Sequence, residues 1–262
     1  MRTWNTALVA AVCAGLAAAT LAGCGGGSEK KKDPDEGTNG VGKLPADKIE
    51  AKARQVAQRA GAVRLTGNVV SKGRTYSLDM RLKGDGGTGQ VSTKGSTFQL
   101  LRVDKELYLK AGADFWSHQQ GEPGEKNTSA PTSEGGQGAD RAAASKLEGK
   151  YVKVPAGDPS YKQLSGFTDK TLLLDGLLGL HGTITSGDRA HVAGVPTIRI
   201  TGDQGNGGTL DVSLRGTPYP VRLQRAGGAG VIQLADWNKE FALSAPKKGE
   251  MVDYGQQLPQ NG

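Results

Sequence analysis

Apolar and polar positions change their period several times along this chain. Ala7 to Ala22 is apolar except for Gly15 and Thr20, and it follows Arg2. Gly25 to Leu44 has no apolar period and is built of Gly, Ser, Lys, Asp and Glu with Pro34. Such a segment buries too little to fold and is expected to be a flexible tether. Pro45 and Asp47 then open a stretch to about Ala60 in which Ile49, Ala53, Val56, Ala57 and Ala60 recur at helical spacing. Its narrow stripe of small residues predicts a helix lying close against a sheet.

After Gly61 the period becomes two. Val63, Leu65 and Val69 alternate with Arg64, Thr66 and Asn68, and Tyr76, Leu78, Met80 and Leu82 alternate with Thr75, Ser77, Asp79 and Arg81. The alternation continues through Phe98 and Leu100, Leu107 and Leu109, Ile198 and Ile200, Leu210 to Leu214, Tyr219 to Leu223, Ile232 and Leu234, and Phe241 and Leu243. About ten or eleven half-buried antiparallel strands are expected. Turn signals such as Lys72-Gly73, Gly84 to Gly87, Lys94-Gly95, Asp104-Lys105, Gly205 to Gly208 and Gly227-Gly228 separate them as a meander requires.

Two segments interrupt the alternation. Residues 118–138 hold no large apolar side chain and read as a disordered insertion, with a short helix expected from Ala139 to Leu147. Asp169 to Leu180 gathers Leu172, Leu173, Leu174, Leu177, Leu178 and Leu180 into a helix apolar nearly all round, which must be covered on every side.

So many half-apolar strands outnumber the two or three helices that could cover them. Either the sheet closes on itself as a barrel or sandwich, which periodicity alone favours, or it curves around the helices and leaves an apolar space. Aromatic residues make up only 5% of the chain, so such a space would be walled by aliphatic side chains. That wall suits acyl chains better than flat rings.

Composition then narrows the chemistry. The formal net charge is +7, from 33 Lys and Arg against 26 Asp and Glu. The bland reading of this charge is a solvated basic surface, and the sharper one is attraction to anionic headgroups or acidic envelope polymers. Gly84-x-Gly86-x-x-Gly89 has dinucleotide-fingerprint spacing but joins two alternating strands and opens no helix, so it reads as a hairpin turn. Ser244-Ala245-Pro246-Lys247 has the S-x-x-K spacing, yet Pro246 forbids the helix that chemistry needs. His118, His181 and His191 stand at no metal-ligand spacing. No catalytic residue, metal site or cofactor is expected, and the chain does not read as an enzyme.

The N-terminus supplies the most specific motif. Arg2 and the apolar run form a signal peptide, and the run is shorter than the roughly 20 residues of a membrane span. Leu21-Ala22-Gly23-Cys24 resembles the lipobox of bacterial lipoproteins at all four positions. The resemblance implies cleavage after residue 23 and a diacylglyceryl group on Cys24, which anchors the chain to membrane lipid on the extracytoplasmic face of the cell membrane. Cys13 and Cys24 are the only cysteines, so no disulfide is available to the exported domain. Exported, its charge is not meant for nucleic acid. A tether over 24–44 would reach about 25 Å.

The order of parts then resembles the LppX/LprG family of envelope lipoproteins, which share the fold of LolA. Gly149-Lys150-Tyr151-Val152-Lys153-Val154-Pro155 and Gly216-Thr217-Pro218-Tyr219-Pro220-Val221-Arg222-Leu223 carry the likeness, with Trp237-Asn238 and Pro246 weaker marks. The resemblance covers residues 45–246 and leaves 247–262 as a flexible C-terminal tail. It implies an α+β fold, a strongly curved antiparallel half-barrel with helices filling its open side around an apolar cavity for a lipid or glycolipid. Leu65, Leu78, Met80, Leu82, Phe98 and Leu100 would line that cavity, and Leu174, Leu177 and Leu178 would form its lid. The competing reading is an envelope protein that binds a protein partner or senses membrane state without carrying lipid.

Overall fold

The computed structural model describes residues 35–71, 73–118 and 145–252. The signal peptide, Cys24, most of the expected tether, the insertion from 119 onward, the start of the helix expected at 139–147 and the tail from 253 lie outside the described residues.

One twelve-stranded sheet organises the fold. Five antiparallel strands follow one another as β1 (Ala62–Ser71), β2 (Arg74–Lys83), β3 (Gly86–Thr93), β4 (Ser96–Val103) and β5 (Glu106–Ala111), with β6 (Tyr151–Val154) beyond them. A second meander runs through β7 (Ile184–Val192), β8 (Val195–Gly202), β9 (Thr209–Ser213), β10 (Pro220–Gln224) and β11 (Gly230–Ala235). With β12 (Met251–Val252) at one edge, the spatial order is β12-β6-β5-β4-β3-β2-β1-β11-β10-β9-β8-β7, so β1 and β11 meet in the middle. The sheet is curved and unclosed, as the resemblance implied and against what periodicity alone favoured.

This order dictates where the helices go. The first meander travels outward from the centre to one edge, and the second begins at the opposite edge. The connection between them must therefore cross the sheet, and it carries α3 (Pro159–Ser165) and α4 (Lys170–Leu178). Helix α1 (Ala46–Arg59) buries Ile49, Ala53 and Ala57 and packs beside α4 and against β7 to β10. Helix α2 (Ala113–His118) packs on β4 and β5. Leu65, Leu100, Ile200, Leu210, Leu223 and Ile232 join Ile49 and Leu174 in one continuous core.

Several expectations change at the ends. Residues 39–44, expected as the end of a tether, are seated on the sheet: the Asn39 amide donates to Leu214 O at 2.8 Å, and Val41 is buried. Phe241 and Leu243 form no strand and instead belong to an extended strap, with Lys83 Nζ lying 5.7 Å from the Phe241 ring centre. Order runs past Pro246, where β12 (Met251–Val252) pairs in parallel with β6, making an otherwise antiparallel sheet mixed. Gly86 to Gly89 lie in β3 and not in the turn that their spacing predicts. Leu172 is 63% exposed, so α4 is not covered all round.

Candidate lipid-binding interior

Alternation along β1, β2 and β4 sends Leu65, Leu78, Met80, Leu82, Phe98 and Leu100 to the same face, because paired positions in neighbouring strands share a side. Register makes this concrete: Leu65 pairs with Met80, Met80 with Gly89, and Gly89 with Leu100. From the other side α4 contributes Leu174, Leu177 and Leu178. All nine expected residues belong to one buried cluster.

The cluster is closed. Leu65, Met80, Leu82, Leu100 and Leu174 are 0% exposed. A side chain bordering a water-sized void would retain accessible area, so these five are in contact on all sides. Leu177 lines a small pocket of about 60 Å³ under the C-terminal end of α4, together with Leu180, Leu223 and Gln224.

Glycines set the depth of this interior. A Cβ on Gly89 would strike Asp79 O and the Met80 sulfur, and one on Gly87 would strike Leu82 Cδ2 and approach Thr168 O. The bare backbone of β3 is what lets Met80 and Leu82 lie flat across the sheet. The sequence places both glycines in a turn, because a glycine-rich strand lacks the alternation that marks its neighbours.

Polar contacts hold the leucine helix over the apolar face. Asp169 caps it by accepting from Leu172 N at 2.9 Å. Arg102 on β4 donates to Thr168 Oγ1 at 3.1 Å and to Thr168 O at 3.0 Å, immediately before the cap. Lys170, itself buried, donates from Nζ to Gln58 O at 2.7 Å in the last turn of α1. Burial pushes its ammonium below the usual lysine range, against a smaller upward pull from Asp169. Beyond the helix, the Leu180 amide donates to Glu50 Oε1 at 2.9 Å. Arg54 and Asp175 complete the set. Apart from the local Asp169 cap, these ties come from residues that alternation and helical period cannot flag, since each pairs across a long stretch of sequence.

The motif residues that carried the family resemblance meet elsewhere. Tyr219 and Trp237 stack at 4.7 Å with their planes 7° apart. Trp237 Nε1 donates to Pro220 O at 3.0 Å, and Asn238 Nδ2 donates to Tyr219 Oη at 2.7 Å. Asn238 Oδ1 accepts from the Gly61 amide at 2.6 Å. They lock the end of β11 to the α1–β1 junction and bring no chemistry to the interior.

Neither a protein-family model nor a curated protein sequence matches the chain. Among solved structures, LprF from Mycobacterium bovis superposes over 77% of this chain and 96% of its own, with a TM-score of 0.50 at 16% identity. The chain has the fold of LprF. The lipoprotein LppX from Mycobacterium tuberculosis aligns over 75% of this chain and 98% of its own at 15% identity, with a TM-score of 0.37. An uncharacterized conserved protein from Thermus thermophilus aligns over 79% and 98% at 10% identity, with a TM-score of 0.33. Both overlaps are too low to carry structural weight. In this half-barrel the aliphatic face is covered by the crossover rather than by a second sheet.

Proposed function

We propose that the chain is an envelope lipoprotein of the LppX/LprG kind, anchored through Cys24 on the extracytoplasmic face of the cell membrane, whose half-barrel takes up the acyl chains of a lipid or glycolipid. The observation that carries the reading is the pairing of an aliphatic concave face with a leucine helix held over it by a few polar ties. Exchanging leucine side chains for an acyl chain replaces one apolar contact by another. The driving force is the removal of the chain from water, about 0.8 kcal/mol per CH₂ group. The cost is the opening of the ties between α4 and its neighbours. A lid of this kind would pass lipid between a membrane and the interior, and the sequence motifs of the lipobox and of residues 149–155 and 216–223 support the same reading.

Lipid extracted from the full-length protein purified out of its native host tests the proposal. Lipid in about one-to-one ratio with protein is expected. A clean extract, with a specific protein trapped by crosslinking in the cell, would favour the partner-binding reading instead.

A further inference from the structure

The interior has a polar oddity at the end away from the start of α4. Among the described residues, Trp116 Nε1 is the one buried side-chain nitrogen or oxygen without a hydrogen-bond partner. Trp116 is 8% exposed and belongs to the same core as Leu100 and Leu174. The rings beside it are hydrocarbon: the Phe115 ring stands edge-on at 5.1 Å, and Phe98 lies 5.3 Å from Phe115. The other indole described, that of Trp237, donates to a carbonyl.

An indole N–H can only donate, and left unpaired in an apolar site it forfeits the hydration it would have in water. What would satisfy it is an acceptor that arrives attached to hydrocarbon. The ester carbonyl of an acyl lipid is such a group. Free fatty alcohol or plain hydrocarbon offers no carbonyl, and an ether-linked chain offers only a weaker acceptor.

Resting on the lipid-binding reading above, we infer that Trp116 receives the ester carbonyl of the bound lipid and so fixes its direction. The glycerol end lies at α2 and the Phe98 end of β4. The hydrocarbon runs from there along Leu78, Met80 and Leu82 toward Gly87 and the start of α4, since Leu82 pairs with Gly87 and Gly87 neighbours Thr168. The ligand class is therefore a lipid whose acyl chain ends in an ester carbonyl, of which an acyl glycerolipid is the example tested.

The full-length protein, stripped of lipid, is incubated with mixed micelles holding equal amounts of dioleoyl phosphatidylglycerol and its dioleyl ether analogue. It is then recaptured, washed free of micelles, and its bound lipids are counted by mass spectrometry. The inference expects the ester to be recovered about tenfold over the ether. In Trp116→Phe the ratio falls to about one while ether recovery is kept. Equal recovery of both lipids by the unaltered protein overturns the role of Trp116 and leaves lipid binding standing, as does an ester preference that survives Trp116→Phe. Recovery of neither lipid overturns the lipid-binding reading and this inference with it. Equal recovery by the unaltered protein overturns the role of Trp116 even if Trp116→Phe fails to fold, and Trp116→Leu then reads the ester preference in its place.

Discussion

Arg54 on α1 and Asp175 on α4 form an ion pair, with Nη2 at 2.9 Å from Oδ1. Gln58, one turn along from Arg54, donates to the same oxygen at 3.3 Å. Both charged side chains keep much of their exposure, so the pair adds at most about 1 kcal/mol to global stability. Its position gives it a larger local role, because it ties the crossover helix to a helix fixed on the sheet.

Arg54→Ala is expected to leave the unfolding midpoint nearly unchanged and to speed hydrogen exchange of the Leu174 to Leu178 amides several-fold, which exchange mass spectrometry reads. Lipid uptake from vesicles should quicken in the same variant. Unchanged exchange in α4 would show that this tie does not hold the helix down.

Leu177→Trp adds bulk where the interior already has its small pocket, whereas Met80→Trp adds it where there is none. Overpacking costs about 1–3 kcal/mol. Met80→Trp should therefore be the less stable of the two in urea. Leu177→Trp should stay folded and lose lipid occupancy, measured on protein from the same host.

Gly89→Ala places a methyl group against Asp79 O and the Met80 sulfur. Met80 can shift, but the backbone carbonyl is held by the β2–β3 ladder. A loss of about 1–3 kcal/mol in urea unfolding is expected, while Gly95→Ala, in open space though at positive φ, should cost less.

Lys170 gives the fold an alkaline signature. Its folded pKa lies below the ordinary 10.5 because burial disfavours the charge. Between the two values the unfolded chain binds more protons than the folded one, so stability rises with pH across that window, and the full burial cost is felt below it. Urea midpoints should climb on approach to pH 10.5 in the unaltered protein and stay flat in Lys170→Met. A climb of equal size in the variant would assign it to another group.

The strands with large aliphatic residues, β1, β2, β4 and β5, were legible because one face is buried and the period of two is then obligatory. The curvature was not, since a closed barrel and a half-barrel write the same alternation; family motifs, now seen to form the Tyr219–Trp237 corner, supplied that step. β3 was hidden because glycine at 86, 87 and 89 removes the pattern, and β12 because two residues in parallel pairing leave no period to read. Within the candidate interior, alternation gives the face of the six strand residues, and the family resemblance is what names them with Leu174, Leu177 and Leu178 as wall and lid. The polar ties of Arg54, Arg102, Lys170 and Glu50 could not be read from either, as their partners lie about 66 to 130 residues away in sequence. Nor could the unpaired state of Trp116, which depends on what its neighbours fail to offer.

The most direct test of the acyl-binding interior is photolabelling of the full-length protein with a phosphatidylglycerol carrying a diazirine in one acyl chain, followed by peptide mapping. Labels on β1, β2, β4 and α4, at residues such as Leu65, Met80, Leu100 and Leu177, are the predicted result. Labels confined to the outer-face residues Arg81, Gln90 and Gln99 would contradict it.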